Sequence, residues 1–331
     1  MAGMTSVTHE VEAEPAAHHA LMNPVARTDP AAPSTPVERA VDSAGLGGLV
    51  LDWFAGAARD LPWRHPGTTP WAVLVSEVML QQTPVSRVLP VWGTWLARWP
   101  TPAALAAEAS GEAVRAWGRL GYPRRALRLH QAASAVVERH AGEIPADVDA
   151  LLALPGIGTY TARAVAAFAF RQRHPVVDVN VRRLYARAVE GRADPPTTVS
   201  RADLAGVAKL LPADPESAAR TSAALMELGA LVCVARAPRC PACPLQEQCA
   251  WLRAGSPAGT GPARRPQGYA GTDRQVRGRL LAVLRDADHP VDRHLLDQVW
   301  EEPIQRDRAL AGLLDDGLVV RIAPGVYALP S

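Results

Sequence analysis

The sequence predicts an all-α fold with a small winged-helix-like module toward its C-terminal end. Three observations carry this. From Leu46 to Leu252 apolar residues recur three and four positions apart, the period of one helix face. Pro, Gly and Asp interrupt that pattern at intervals that suit helices of ordinary length. Strand-like alternation is scarce until Gly317-Leu-Val-Val-Arg-Ile-Ala-Pro-Gly-Val-Tyr-Ala-Leu329, which reads as a two-strand hairpin.

Residues 1–45, rich in Ala, Pro, Thr and Glu without a sustained period, are expected to be a disordered leader. Thr69-Pro70 supplies an N-cap and a first-turn proline, and predicts a helix running through Leu80. Further helices are predicted near 102–109, 111–119, 124–140, 147–153, 160–170 and 180–189, and the apolar run Ala224–Val232 is helical in pattern. Together 46–254 form one helical domain. The Gly/Pro/Ser/Arg stretch 255–272 is expected to be a linker, and 273–331 to hold two or three short helices followed by the hairpin. A module of this kind either binds DNA or mediates contacts.

The chain of 331 residues is 48% hydrophobic, enough for a substantial core. No apolar run approaches the roughly 18–20 residues that cross a bilayer. The N-terminus lacks the basic start and apolar stretch of a secretory leader, so a cytoplasmic protein is expected. The net charge of +2 is unevenly spread: residues 1–45, 46–255 and 256–331 carry −4, +6 and 0. An excess in the middle segment suits contact with phosphate, although an ordinary solvated surface would also account for it.

Four cysteines, all that the chain contains, fall in seventeen residues as Cys233-x6-Cys240-x2-Cys243-x5-Cys249. Such a set can hold tetrahedral zinc or an iron–sulfur cluster, and disulfides are disfavoured without a secretory leader. A centre here would harden a loop made basic by Arg236 and Arg239. Leu154-Pro155-Gly156-Ile157-Gly158 lies between two amphipathic runs. Its glycines allow a tight turn that presents the amides of the next helix to a phosphate, the helix-hairpin-helix pattern; a plain turn between helices is the alternative.

Glu77 lies in Trp71-Ala-Val-Leu-Val-Ser-Glu-Val-Met-Leu-Gln-Gln-Thr-Pro84, with Val73, Leu74, Leu80 and Gln81 as helical neighbours. Aliphatic surroundings would raise its pKa toward neutrality, as a proton donor requires; an exposed glutamate on the polar stripe is the plainer reading. Asp178, in Pro175-Val-Val-Asp-Val-Asn-Val-Arg-Arg183, precedes a helix starting near Asn180, whose amides are expected to keep it ionised. A simple N-cap is its plainer reading. One protonated and one charged carboxyl are the two parts that break a glycosidic bond through a cationic sugar. Beside a phosphate-binding hairpin, they point to release of a base from DNA.

Ser76–Thr83, Leu120-Gly-Tyr122, Leu154–Thr161, Val177–Val181 and the four cysteines, in unbroken order, resemble the MutY-type adenine DNA glycosylases of the endonuclease III superfamily. The resemblance implies a helix-hairpin-helix glycosylase fold, a six-helix barrel lobe plus a cluster-bearing lobe, that works as a monomer on double-stranded DNA of the nucleoid. It implies one [4Fe-4S] cluster on Cys233, Cys240, Cys243 and Cys249, with zinc as the alternative. By the same resemblance Glu77 is the general acid toward adenine N7 and Asp178 the carboxylate that stabilises or captures C1′. Tyr160 assists both and Asn180 orients Asp178. Arg59, Leu61, Trp63 and Arg64 wall the base pocket; Gln81, Gln82, Thr83 and Tyr122 wedge into the duplex; Gly156 and Gly158 hold the backbone.

The substrate implied is adenine opposite 8-oxoguanine or guanine. Many relatives append a Nudix-like domain that reads the oxidised partner, whereas the sixty or so residues after this linker look like a winged helix. Lys209, the sole lysine, lies outside every motif, which predicts base release without the imine chemistry of a lyase. The rivals are a thymine or uracil glycosylase acting on mismatches with guanine, and a non-catalytic iron–sulfur DNA-binding regulator.

Overall fold

Helix start signals in the sequence become helices at the expected places. In the computed structural model, which describes residues 43–195, 198–259 and 268–331, the Thr69 hydroxyl accepts the amide of Ala72 at 3.2 Å and Pro70 occupies the first turn. The expected leader lies almost wholly outside the described residues, as does the centre of the expected linker.

The chain runs through α1 (Ser43–Ala57), α2 (Pro70–Leu80), α3 (Val85–Arg98), α4 (Pro102–Ala106), α5 (Ser110–Trp117), α6 (Arg124–His140), α7 (Val148–Leu152) and α8 (Thr159–Phe170). It continues with α9 (Val179–Ala188), α10 (Arg201–Ala208), α11 (Pro215–Leu231) and α12 (Ala250–Arg253). The C-terminal module is α13 (Asp273–Asp286), β1 (Val291–Asp292), α14 (Arg293–Asp297), α15 (Pro303–Asp315), β2 (Val320–Ala323) and β3 (Val326–Ala328). Its antiparallel sheet has the order β1-β3-β2, so the expected hairpin gains a third short strand, with Val291 opposite Tyr327. The helices α13 and α15 span fourteen and thirteen residues, longer than the short helices expected there. Among the described residues no helix is long and apolar enough to cross a membrane.

Two apolar cores divide the helical part. The first is built on α2 to α8, with Trp95 packed edge-on against Trp99 and Trp117 at 4.6 and 5.6 Å between centroids. Residues of α13, α14 and α15 belong to this same core. The second gathers α1, α9, α10 and α11 with Leu245 of the cysteine loop. From α1, in the second lobe, the chain crosses to the first through 58–69 and returns through 171–178. Residues on both crossings line one cavity between the lobes.

The α3 helix is absent from the sequence prediction because Pro84 and Pro90 read as breaks. Pro84 is its N-cap, while Pro90 sits inside the helix on its exposed side, where the ring meets solvent.

Gly229 of α11 lets the second lobe close on the site. A Cβ there would stand 2.7 Å from the backbone oxygen of Asn180. In the space left, Arg183 bridges the Gly229 carbonyl at 2.7 Å and the Asn180 side-chain oxygen at 2.9 Å. Gly229→Ala gains about 1 kcal/mol of helix propensity and loses about 1–3 kcal/mol to overpacking against backbone, so a net loss is expected. A lowered melting temperature with slowed turnover is the expected outcome; a variant as stable and active as wild type would show that the two helices have room to part.

Candidate active site

The acid comes from the most enclosed helix. Every residue of α2 from Trp71 to Met79 is buried, the pattern of a helix packed all round, and Glu77 is 4% exposed. Burial, the largest influence, raises its pKa to about 7, against the Tyr160 hydrogen bond and the Arg64 charge, which lower it; the Asp178 charge adds to the rise. Tyr160, in the first turn of α8, is hydrogen-bonded to Glu77, and its hydroxyl also lies 3.9 Å from Met226 Sδ. Burial, then the charges of Glu77 and Asp178, hold the phenol well above its usual value.

Asp178 caps α9. Its Oδ1 accepts the amides of Asn180 and Val181 at 2.9 and 2.8 Å, and its Oδ2 accepts the Asn180 side-chain amide at 2.7 Å. The cap reading of the sequence and the arrangement with Asn180 are both present in one carboxyl. Burial is the largest influence on its pKa and raises it, while the expected helix-start amides act in the opposite direction and favour the ionised form.

Glu77, Asp178, Tyr160 and Asn180 line one cavity of about 870 Å³, together with Arg59, Leu61, Trp63, Arg64 and Thr83. Gln81, Gln82 and Tyr122 are not in its wall. They lie on two neighbouring loops: Gln81 donates to Thr161 Oγ1 at 3.2 Å, and Gln82 and Tyr122 adopt φ of 53° and 48°, with Tyr122 exposed. Gly156 and Gly158 form the turn before α8. Gly156 has φ 77° and a Cβ there would meet the Arg128 side chain at 2.7 Å, whereas Gly158 faces open space at the helix start.

Glu227 of α11 is the site residue that sequence reasoning missed. Its side chain is 1% exposed and accepts Arg59 Nε at 2.6 Å, Arg59 Nη2 at 2.9 Å, the Arg59 amide at 3.0 Å and Arg64 Nη2 at 2.9 Å. Burial alone would raise it, but the bonds from Arg59 and Arg64 hold it at about 2. A lone glutamate in the apolar run Ala224–Val232 was the available signal, since such a carboxyl requires a cationic partner.

The four cysteines are free thiols and line a second cavity with Leu184, Arg187 and Trp251. Arg187 donates to the carbonyls of Ala193, Val234 and Ala235 at 2.8, 2.8 and 3.1 Å and lies 3.7 Å from Cys233 Sγ. Burial pushes Cys243 up to about 11, so a bare thiol there stays protonated. Among the described residues no three His, Cys, Asp or Glu side chains converge tightly enough for a single metal ion. The four thiols line one pocket with the Arg187 guanidinium beside them, a donor set whose chemistry suits a thiolate-bound metal group.

Residues 75–209 match the HhH-GPD superfamily base excision DNA repair protein model. The adenine DNA glycosylase of Mycobacterium tuberculosis is 57% identical over 282 residues, covering 85% of this chain and 92% of the relative. That of Mycolicibacterium smegmatis is 60% identical over 281 residues, 85% of this chain and 94% of the relative. The solved structure of a thermostable thymine-DNA glycosylase superposes with a TM-score of 0.58 at 24% identity, over 64% of this chain and 97% of that one, a likeness of fold. Fold, paired carboxyls and hairpin together define a helix-hairpin-helix protein of base excision repair. Within that superfamily, the extent and identity of the two mycobacterial matches show that the chain belongs to the adenine DNA glycosylases.

Desolvation of Glu77 has a measurable cost. The neutral acid folds without penalty below about pH 4.5; as pH rises through about 7, ionisation is disfavoured in the folded state, and about 3 kcal/mol of stability is lost. Glu77→Gln removes this dependence, so its melting temperature relative to wild type should climb between pH 4.5 and 8. A difference that stays flat across that range would mean the carboxyl is solvated.

Proposed function

We propose that the chain is a monofunctional DNA glycosylase that excises adenine mispaired with 8-oxoguanine or guanine and leaves an abasic site. The observation that carries this reading is a carboxyl with a pKa near 7 sharing one cavity with a second, amide-bound carboxyl. The enzyme works as a monomer on double-stranded DNA of the cytoplasmic nucleoid.

An adenine nucleotide turned out of the duplex enters the cavity between the lobes. Arg59, Leu61, Trp63 and Arg64 wall the base, and Arg64 Nη1, buried without a hydrogen-bond partner, is a donor left for it. Protonated Glu77 gives its proton to the adenine ring at N7, and the C–N bond breaks with its electrons going to the base. Asp178 stabilises, or briefly captures, C1′ of the resulting sugar cation until water adds. Tyr160 links the acid to this step: it donates to Glu77 once the proton has gone. Gln81, Gln82, Thr83 and Tyr122 wedge the duplex, and the hairpin at Gly156 and Gly158 holds its backbone through free helix-start amides. Lys209 caps the end of α10 and is not in the cavity wall, so no amine is at hand for an imine with the sugar.

Cys233, Cys240, Cys243 and Cys249 would hold one [4Fe-4S] cluster, whose metal–thiolate bonds would fix the loop carrying Arg236 and Arg239. The four-cysteine spacing supports the cluster, and zinc would suit the same thiolate ligands. Purified protein should contain about four irons with a broad visible absorption; a single zinc without colour would replace the cluster.

Incubation with a duplex holding adenine opposite 8-oxoguanine, followed by chromatography, should yield free adenine and an intact strand that breaks only on added base. Glu77→Gln should bind the duplex and release no adenine. Release of thymine or uracil in place of adenine would reassign the substrate, and an abundant borohydride-trapped adduct would contradict the monofunctional mechanism. The single-turnover rate should fall as pH rises through about 7, where Glu77 loses its proton.

A further inference from the structure

The C-terminal module is the part of the chain that this reaction leaves without a task, and its contacts give it one. It joins the first lobe through a shared core, and the carbonyl of Pro330 accepts the Gly111 amide at 2.7 Å, where a Cβ on Gly111 would stand only 2.4 Å from that oxygen. Across the same seam Arg115 donates to the carbonyls of Arg285 and Ala287. In the opposite direction, Arg285 reaches out of α13 to the carbonyl of Val114 at 2.8 Å and to that of Gly118.

Gly118 opens the loop that ends at Tyr122, with φ 51° and ψ −126°, a conformation reserved for glycine. Each carbonyl of this loop is held by a different donor. Arg285 holds Gly118, Arg87 holds Arg119, and the Thr83 hydroxyl holds Leu120 at 3.4 Å. Trp117 Nε1 and Arg125 both hold Gly121, at 3.0 Å each. Arg125 also caps the end of α2 at the carbonyls of Val78, Met79 and Gln81, and its guanidinium lies 5.4 Å from the Tyr122 ring. The loop and the Gln81-Gln82 turn are thus one stitched unit, and the module supplies its outermost stitch.

We propose that the C-terminal module is a brace for the duplex wedge, and that Arg285 is a positioning residue that holds the Gly118–Tyr122 loop, and with it Tyr122, ready to enter the DNA. This rests on the reading of Tyr122 as a wedge. The module acts on eversion of the base and not on the chemistry that follows. Arg115 crosses the same seam, bonding Glu112 of its own helix and carbonyls of the module but no carbonyl of the Gly118–Tyr122 loop, which makes it the control.

The test uses the full chain in a Glu77→Gln background and a duplex carrying 2-aminopurine in place of adenine opposite guanine, where fluorescence rises as the base leaves the stack. Arg285→Met should bind within about threefold of the parent, since backbone contacts dominate affinity. Its eversion equilibrium should fall about tenfold, the scale of one lost hydrogen bond to a charged group. With Glu77 restored, single-turnover adenine release should slow by the same factor at an unchanged pH midpoint. Arg115→Met should leave eversion and release as in the parent. If Arg285→Met does not fold, Arg285→Lys carries the comparison, because its single ammonium cannot reach both carbonyls. Eversion equal to the parent, or an equal loss in Arg115→Met, would overturn the brace. Absence of adenine release by the wild type would instead overturn the glycosylase reading and leave the eversion result standing.

Discussion

The site depends on burial of Glu77 on a helix packed on every side, which lifts its carboxyl to about 7 and so leaves a large protonated share at neutral pH. The difficulty is that Arg64, whose charge lowers the Glu77 pKa, lines the same cavity. Glu227 resolves the conflict. Itself 1% exposed and held at about 2, it binds Arg59 and Arg64 with both oxygens and offsets their charge at short range. A guanidinium can then line the cavity without pulling the proton off the acid. The acid and the base pocket are therefore set by different lobes, one through α2 and the other through α11.

That division explains why the functional residues lie where the chain changes lobes. Arg59, Leu61, Trp63 and Arg64 fall on the first crossing and Asp178 at the end of the second. Leu61 and Trp63 anchor the first crossing in the first core and Val177 anchors the second crossing in the second core, while their neighbours Arg59, Arg64 and Asp178 line the cavity. The close approach at Gly229 and the Arg183 bridge to Asn180 fix how tightly the second crossing is drawn against α11.

Much of this was legible in the sequence because it follows from local chemistry. Thr69-Pro70 starts a helix wherever it occurs before an apolar run, and a glutamate among Val73, Leu74 and Leu80 announces a perturbed acid. What was not legible depends on tertiary surroundings. Pro90 is tolerated in α3 because it faces outward, which composition cannot tell. Asp178 has the expected amides, but its burial, which raises its pKa against them, comes from the fold and cannot be read from its neighbours in sequence. Glu227 gave half a signal: the apolar run demanded a partner for it, but only the fold brings Arg59, 168 positions away, to its carboxylate.

The module shows why a winged-helix shape is a poor guide to role. Its arginines are largely spent on neighbours: Arg277 on Asp316, Arg293 on Asp297 and Asp307, Arg306 on Asp297, and Arg308 on Asp273 at 2.7 Å. Arg285 is buried, which lowers its pKa to about 10, and is turned against the barrel. A face meant to compete with counterions for phosphate keeps its cations free. Here Arg277, Arg293, Arg306 and Arg308 are paired with carboxylates and Arg285 with backbone carbonyls of the first lobe, whereas Arg274, Arg279 and Arg321 are exposed over Tyr269, Trp300 and Tyr327; the charge excess of the chain lies in residues 46–255. Half of the module's arginines are thus spent on its own carboxylates, and Arg285 is the one that reaches the loop carrying Tyr122.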